Sequence, residues 1–334
     1  MGKFSTYQKR RKLYEMLPLE TPLSVHVCPS TYCNFKCHYC VHSVSNESFL
    51  DNGIKKQFMD MELFEMLIEQ LKQFPEKLKL LNFAYLGEPL LNKHIGEMVR
   101  IAKEADVAER VEIVSNASML TKELSKKLVD AGLDRLRISI QGVSEKEYVD
   151  ISKYKIEYEK LLDEIRYMYE ISRNTNTKIY IKAVDAVMDT EEKKNQFVEM
   201  FGEICDNLNI ESLIPITDKC DISDLKTEFK TGYFGNGVRE TRICSEVFYT
   251  MVVLPDGGVI PCCTMGKAPA QFGNIRDKSI TNIWKCDELN ELRKKMLNCG
   301  YKNFESCKGC GVPLYQTSEE DYLDQYVEEL QKKY

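Results

Sequence analysis

No stretch of the 334 residues approaches the continuous apolar length that spans a bilayer. The start, MGKFSTYQKRRKLYEMLP, has basic residues but not the apolar segment of an export signal. A cytosolic protein is therefore expected, with no membrane partner. An excess of positive charge is also missing: 46 basic residues stand against 52 acidic ones, a net charge of -6. Composition thus gives no nonspecific polyanion-binding surface, and no basic–aromatic tract points to a nucleic-acid partner. Low-complexity repeats and an evident extra N-terminal recognition domain are lacking too. What is present is a 43% apolar, 10% aromatic chain, enough for the core of one large domain or of a large and a small one.

Cysteine is abundant, at thirteen residues. A reducing cytosol disfavours a disulfide framework, and a chain of this length does not need one. The uneven spacing of these cysteines is the main clue to chemistry.

Six apolar, β-branched or aromatic runs read as strands: Ser24 to Cys28, Leu78 to Leu86, Arg110 to Ser115, Arg135 to Gln141, Thr177 to Val184 and Asn209 to Ile216. Helical periods lie between them, over Asp60 to Phe74, Thr121 to Ala131, Tyr158 to Ile171 and Glu191 to Ile204. Such alternation predicts a parallel sheet with crossover helices, either an open doubly wound sheet or an incomplete barrel. After about Asp218 the pattern changes. Residues 221–242 read as a linker, Val247 to Leu254 and Val259 to Pro261 flank an Asp256-Gly257 hairpin signal, and Asn282 to Leu297 reads as a helix. A last helical pattern runs from Glu319 to Tyr334.

Just past the first strand lies Cys33-Asn34-Phe35-Lys36-Cys37-His38-Tyr39-Cys40. Three thiolates at intervals of four and three can hold three irons of a four-iron cluster, leaving one iron without a protein ligand. Zinc is the competing reading, with His38, His42 or Cys28 as a fourth ligand. The octapeptide resembles the signature of the radical S-adenosylmethionine superfamily, and further elements extend the resemblance over roughly residues 22–217. Gly87-Glu88-Pro89 looks like the family's glycine–glutamate–proline element. Ser115 and Asn116 resemble its ribose- or carboxylate-contacting position, and Ser139 and Gln141 end the fourth strand in Ser-Ile-Gln-Gly, where many relatives carry an aspartate in the place of Gln141. The resemblance implies an incomplete (β/α)6 barrel whose C-terminal rim binds S-adenosylmethionine, with Tyr39, Gly87, Glu88, Pro89, Ser115, Asn116, Ser139, Gln141 and Lys182 as cofactor contacts. It also implies reductive cleavage of the cofactor to a 5'-deoxyadenosyl radical.

The C-terminal part offers Cys244, Cys262, Cys263, Cys286, Cys299, Cys307 and Cys310. Four such thiolates suit zinc or a four-iron cluster, and spacing leaves the choice open. The run Leu254-Pro255-Asp256-Gly257-Gly258-Val259-Ile260-Pro261-Cys262, with Phe272 to Ile275 and Ile283-Trp284, resembles the SPASM auxiliary domain or its shortened twitch form. With no cysteine after Cys310, one auxiliary cluster is implied. The spacing of Cys244, Cys262, Cys307 and Cys310, 18, 45 and 3 positions apart, is similar to that of a twitch-bearing dehydrogenase of the family. These four are the expected ligands, with Cys263 the alternative to Cys262.

The expected organisation is an N-terminal extension over 1–21, the partial barrel over 22–217, a linker over 218–243, a small C-terminal SPASM/twitch iron–sulfur domain over 244–312 and a terminal helix over 313–334. The expected cofactors are S-adenosylmethionine and two [4Fe–4S] clusters, and the expected electron donor is a flavodoxin or ferredoxin. The leading reaction is oxidation of a secondary alcohol in a small polar metabolite such as a sugar, cyclitol or nucleotide-linked precursor. Radical epimerisation with Cys28, Cys205 or Cys220 as hydrogen donor, modification of a peptide substrate, and nonenzymatic electron transfer are the alternatives. Tyr85, Arg137 and Asp185 are candidate catalytic or substrate contacts, for a sugar hydroxyl, a phosphate, and a hydroxyl or amine.

Overall fold

The structure, a computed structural model, describes residues 11–44, 55–215, 220, 222–223, 225, 229–233, 235, 237–262 and 271–334. Six strands form in chain order: β1 Ser24–Val27, β2 Leu80–Phe83, β3 Val111–Ser115, β4 Arg135–Ser139, β5 Lys178–Val184 and β6 Asn207–Glu211. Each pairs parallel with the next. Strictly sequential order is that of a barrel, whereas a doubly wound sheet reverses direction at a switch point. Arg137 on β4 reaches Glu211 on β6 at 3.1 Å, and its charge acts on His26 of β1. Side chains two and three strands apart converge in this way on a curved sheet, so the architecture is the incomplete (β/α)6 barrel.

On each strand one phase is apolar and packs on the helices, as Leu136 and Ile138 do on β4 and Ile179, Ile181 and Ala183 on β5. The opposite phase faces the barrel interior and is polar. The helix Met61–Leu71 follows from its sequence: Asp60 caps it by accepting from the Leu63 N–H at 2.7 Å, and Leu63, Phe64, Leu67, Ile68 and Leu71 are all buried. Burying each of these apolar side chains contributes about 1.5–3 kcal/mol. Thr121 and Thr190 cap Lys122–Asp130 and Glu191–Phe201 in the same way. Two further helices, Ile95–Glu104 and Glu145–Ser152, lie outside the periodic segments read from the sequence. The first has no side-chain cap to mark its start.

Several boundaries differ from the sequence expectations. β2 ends at Phe83 because the chain turns at Tyr85 (φ +97°) and Gly87 (φ +71°). β6 ends at Glu211, and Ile216 lies outside the described residues. The Val247 to Leu254 run divides into a helical turn, Glu246–Tyr249, and strand β7, Thr250–Val253. The Asn282 to Leu297 helix is two, Ile280–Trp284 and Asp287–Cys299, parted where Cys286 is extended. The terminal segment is not one helix but two 3-10 turns, Glu319–Asp321 and Asp324–Tyr326, followed by Val327–Gln331. Its Leu323, Val327 and Leu330 join Leu13, Leu17, Ile243, Phe248 and Leu297 in a second apolar core.

The hairpin does not form a sheet of its own. β7 pairs parallel with β1, Ser24 opposite Thr250, and β8 (Gly258–Ile260) and β9 (Gly273–Asn274) continue the same sheet. No helix among the described residues is long and apolar enough to cross a membrane.

Candidate active site and auxiliary metal centre

β1 delivers the chain to Cys28, whose buried thiol donates to the carbonyls of Ser30 (3.3 Å) and Leu86 (3.5 Å). The Cys33 to Cys40 loop then docks on the end of helix Glu145–Ser152, with Lys36 N–H donating to Ser152 O at 2.7 Å and His38 N–H to Ile151 O at 3.2 Å. Phe35 anchors it, buried against Tyr148 and Tyr154. Burial, with Glu88 and Cys40 adding, pushes Cys33 up to about 12. Burial likewise raises Cys40, to about 11, and raises Cys37 further, with Cys33 and Cys40 adding. Buried neighbouring thiols ionise only with a compensating cationic centre, so the donor set fits an iron cluster. Among the described residues no three His, Cys, Asp or Glu side chains converge on a single-ion site. A four-iron cluster instead spreads its thiolates over separate irons.

Gly87 is required at its position. A Cβ there would lie 2.1 Å from Ser30 O and 2.6 Å from Tyr32 O, and its φ is +71°. Its N–H donates to His42 Nε2 at 3.0 Å, and Glu88 N–H to Tyr32 O at 2.8 Å, fastening this turn to the cysteine loop. Glu88 is buried, which raises its carboxyl, while hydrogen bonds oppose the rise. Oε1 accepts from Ser115 Oγ (2.6 Å) and Leu90 N–H (2.9 Å), and Oε2 from Asn116 N–H (2.8 Å). A carboxylate has about four acceptor directions, so beyond these three donors one direction remains, on Oε2. Pro89 opens the 3-10 turn Pro89–Leu91 behind it. Asn116 donates to Asn34 Oδ1 at 3.1 Å, and Asn34 to Ser118 Oγ at 2.7 Å, tying the end of β3 to the cysteine loop. Gln141 Oε1 accepts from the Tyr39 hydroxyl and lies 3.5 Å from Cys37 Sγ, while Gln141 Nε2 donates to Ser139 O at 3.1 Å. The structure thus brings Tyr39, Glu88, Ser115, Asn116, Ser139 and Gln141 around the rim that holds Cys33, Cys37 and Cys40.

Lys182, Arg137 and Asp185 have other neighbours. Lys182 Nζ lies 2.5 Å from Glu211 Oε2 and Arg137 Nη2 3.1 Å from Glu211 Oε1, so both cations meet an anion inside the barrel. Arg137 also faces Glu112 at 3.5 Å and the Tyr233 hydroxyl. Tyr180 and Tyr233 donate to Glu211 Oε1 at 3.0 and 3.2 Å. Burial raises the Glu211 carboxyl, but Lys182 and Arg137 outweigh it and leave it below its ordinary value. Asp185 Oδ1 accepts from the Ala186 and Leu213 N–H groups at 2.7 and 2.9 Å, clamping β5 to the exit of β6. Tyr85 packs at the seam between barrel and hairpin, against Val252, Leu254 and Ile260. Sequence reading missed Glu112, Glu211 and Tyr233. The first two had a signal, since they share the polar interior phase of their strands with Arg137 and Lys182.

Cys244, Cys262, Cys307 and Cys310 line one cavity whose other walls are mostly apolar, including Val247, Leu292, Met296 and Val312. Burial raises Cys244 well above its ordinary value, and Glu246, Cys262 and Cys310 add to the rise. Four thiols in an apolar chamber fit a fully ligated cluster. Cys286 and the exposed Cys299 do not line this cavity, and Cys263 lies outside the described residues.

A barrel with a three-cysteine loop at its rim and a four-cysteine chamber beside it belongs to a definite class. The Radical SAM superfamily model matches residues 27–185, and SPASM, an iron–sulfur cluster-binding domain, matches residues 244–311. The chain is a radical S-adenosylmethionine enzyme with a C-terminal SPASM domain. It is 25% identical over 314 residues to the S-adenosyl-L-methionine-dependent 2-deoxy-scyllo-inosamine dehydrogenase of Niallia circulans, covering 93% of this chain and 99% of that one. It is 24% identical over 321 residues to the tungsten-containing aldehyde ferredoxin oxidoreductase cofactor-modifying protein of Pyrococcus furiosus, covering 84% and 85%. Among solved structures, BtrN in complex with AdoMet and 2-DOIA aligns with a TM-score of 0.54 at 22% identity, over 90% of this chain and 97% of that one. Streptococcus suis SuiB bound to precursor peptide SuiA aligns with a TM-score of 0.65 at 18% identity, over 95% and 78%. These structural likenesses speak to the fold.

Proposed function

We propose that the chain oxidises a secondary alcohol of a small polar metabolite, a sugar, cyclitol or nucleotide-linked compound, to a ketone. Such an oxidation removes one hydrogen atom, one proton and one electron. When bound, S-adenosylmethionine on a cluster at Cys33, Cys37 and Cys40 supplies a carbon-centred radical for the hydrogen atom, and a second [4Fe–4S] cluster supplies an acceptor for the electron. The observation that carries the reading is the auxiliary chamber. Its four thiols leave no iron open to substrate, which suits an electron acceptor and not a Lewis acid. The similarity to a dehydrogenase along nearly the whole length of both chains supports it.

Within this reading the chain's own groups have distinct tasks. Glu88, held by Ser115 and Asn116, orients the cofactor's amino group, and Gly87 lets backbone approach it. Arg137, Lys182, Tyr180 and Tyr233, with Glu112 and Glu211, give the barrel a hydrogen-bonding floor for hydroxyls. A flavodoxin or ferredoxin delivers the priming electron.

The test is anaerobic reconstitution with a panel of secondary alcohols deuterated at the carbinol carbon. The expected result is a ketone, with deuterium carried into 5'-deoxyadenosine. An isomer bearing solvent hydrogen would replace oxidation with epimerisation. That second reading has one observation in its favour, because the Cys220 thiol hydrogen-bonds with Ser43 and lies close enough to Cys40 to raise it.

A further inference from the structure

We propose that Glu246 sets the reduction potential of the auxiliary site, holding it low by placing a carboxylate in the same chamber as the four thiols. The proposal rests on the reading of Cys244, Cys262, Cys307 and Cys310 as cluster ligands. Glu246 opens the helical turn Glu246–Tyr249, two residues past Cys244, and is only 6% exposed. Glu246 lines the cavity with the thiols, while Lys302 and Lys308 line the adjoining pocket that shares Cys307 and Cys310, so the carboxylate lies on the Cys244 side and the lysines on the other. The turn that places the carboxylate also presents the Glu246 N–H to the Cys244 sulfur. Across the turn, the Tyr249 hydroxyl donates to Glu246 Oε1 at 2.6 Å, which fixes the carboxylate and partly offsets its charge.

The potential of an iron–sulfur cluster follows its net charge, its hydrogen bonds and its exposure to water. An electron added to a thiolate-rich group is disfavoured by a neighbouring anion, the more so the less water screens the pair, and Glu246 and Cys244 are both buried. Two residues therefore act in opposite senses here. Glu246 lowers the potential, and the proton that Tyr249 donates raises it again. The consequence is a weakly oxidising acceptor that readily passes its electron onward.

The test is a potentiometric titration, followed by electron paramagnetic resonance, of the full-length, anaerobically reconstituted protein. Glu246→Gln keeps an oxygen for the Tyr249 hydroxyl but removes the charge. It should move the auxiliary midpoint to a more positive potential, leaving the other cluster's midpoint and the iron content unchanged. Tyr249→Phe removes only the proton donor and should move the auxiliary midpoint the other way, and it decides the matter alone if the glutamine variant fails to retain its cluster. Unmoved midpoints, or shifts of both variants in one direction, would overturn the role of Glu246. Iron and sulfide for a single cluster in the wild type would instead overturn the ligand reading, and the proposal with it.

Discussion

Replacing Glu211 by glutamine should destabilise the barrel out of proportion to its one-atom change. The carboxylate is 2% exposed and receives Lys182, Arg137, Tyr180 and Tyr233 at 2.5, 3.1, 3.0 and 3.2 Å. Arg137 keeps Glu112 in the variant, but Lys182 loses the anion it faces at 2.5 Å. Breaking a buried ion pair from one side costs about 3–5 kcal/mol. At ~2 °C per kcal/mol, the lower end of the range for chains of some 150–250 residues, that is a fall in Tm of roughly 6–10 °C. Differential scanning calorimetry on Glu211→Gln, Lys182→Met and the double variant measures it. The double variant should recover part of the loss, because the two charges are then removed together. The pH dependence has a definite sign. A carboxyl lowered in the folded state contributes stability above its unfolded value of 4.5 and loses it as pH falls through the folded value. The deficit of Glu211→Gln should therefore stay constant between about pH 8 and about pH 5.5. A single variant as stable as wild type at pH 7, or a double variant worse than the sum of the singles, would refute the account.

Gly87→Ala should abolish S-adenosylmethionine cleavage with the iron content intact, as its Cβ meets Ser30 O at 2.1 Å; wild-type release of 5'-deoxyadenosine would contradict this. Cys33→Ala should lose the iron and sulfide of one cluster and Cys310→Ala those of the other, each variant keeping the remaining paramagnetic signal. Leu330→Ala, in the core behind Cys244, should cost about 2–5 kcal/mol and speed chelator removal of auxiliary iron; unchanged rates would separate the tail from that site. Asp185→Asn keeps Oδ1 as an acceptor for Leu213 and Ala186 and should fold normally, whereas Asp185→Ala should lose about 1–3 kcal/mol. Circular dichroism melts distinguish the two.

Much of the fold was legible because one strand phase is apolar and the helices carry caps, as at Asp60, Thr121 and Thr190. The cysteine loop was legible because its ligands are adjacent in sequence. What escaped depends on contacts between distant elements. Glu211 meets Arg137 and Lys182 only after three strands curve together, and Tyr233 arrives from the linker. The Tyr85 to Gly87 turn cut short an apolar run that reads as strand, since left-handed backbone leaves little trace beyond the glycine. Likewise, the run that reads as strand from Val247 opens instead as a helical turn beginning at Glu246, and that turn sets Glu246 beside the thiols.

The β1–β7 pairing makes a ruler of the sheet. β1 leads at its C-terminal end towards Cys33, while β8 folds back along β7 to bring Cys262 to the opposite end. Four paired residues at ~3.3 Å each put on the order of 13 Å of hydrogen-bonded ladder between the two ends. That span is fixed by backbone and not by a hinge, so on the proposed dehydrogenase reading the distance an electron crosses to the auxiliary site is inherited from strand length. Lengthening β1 and β7 together by two residues would widen it by ~7 Å and should slow that transfer steeply while sparing each metal site.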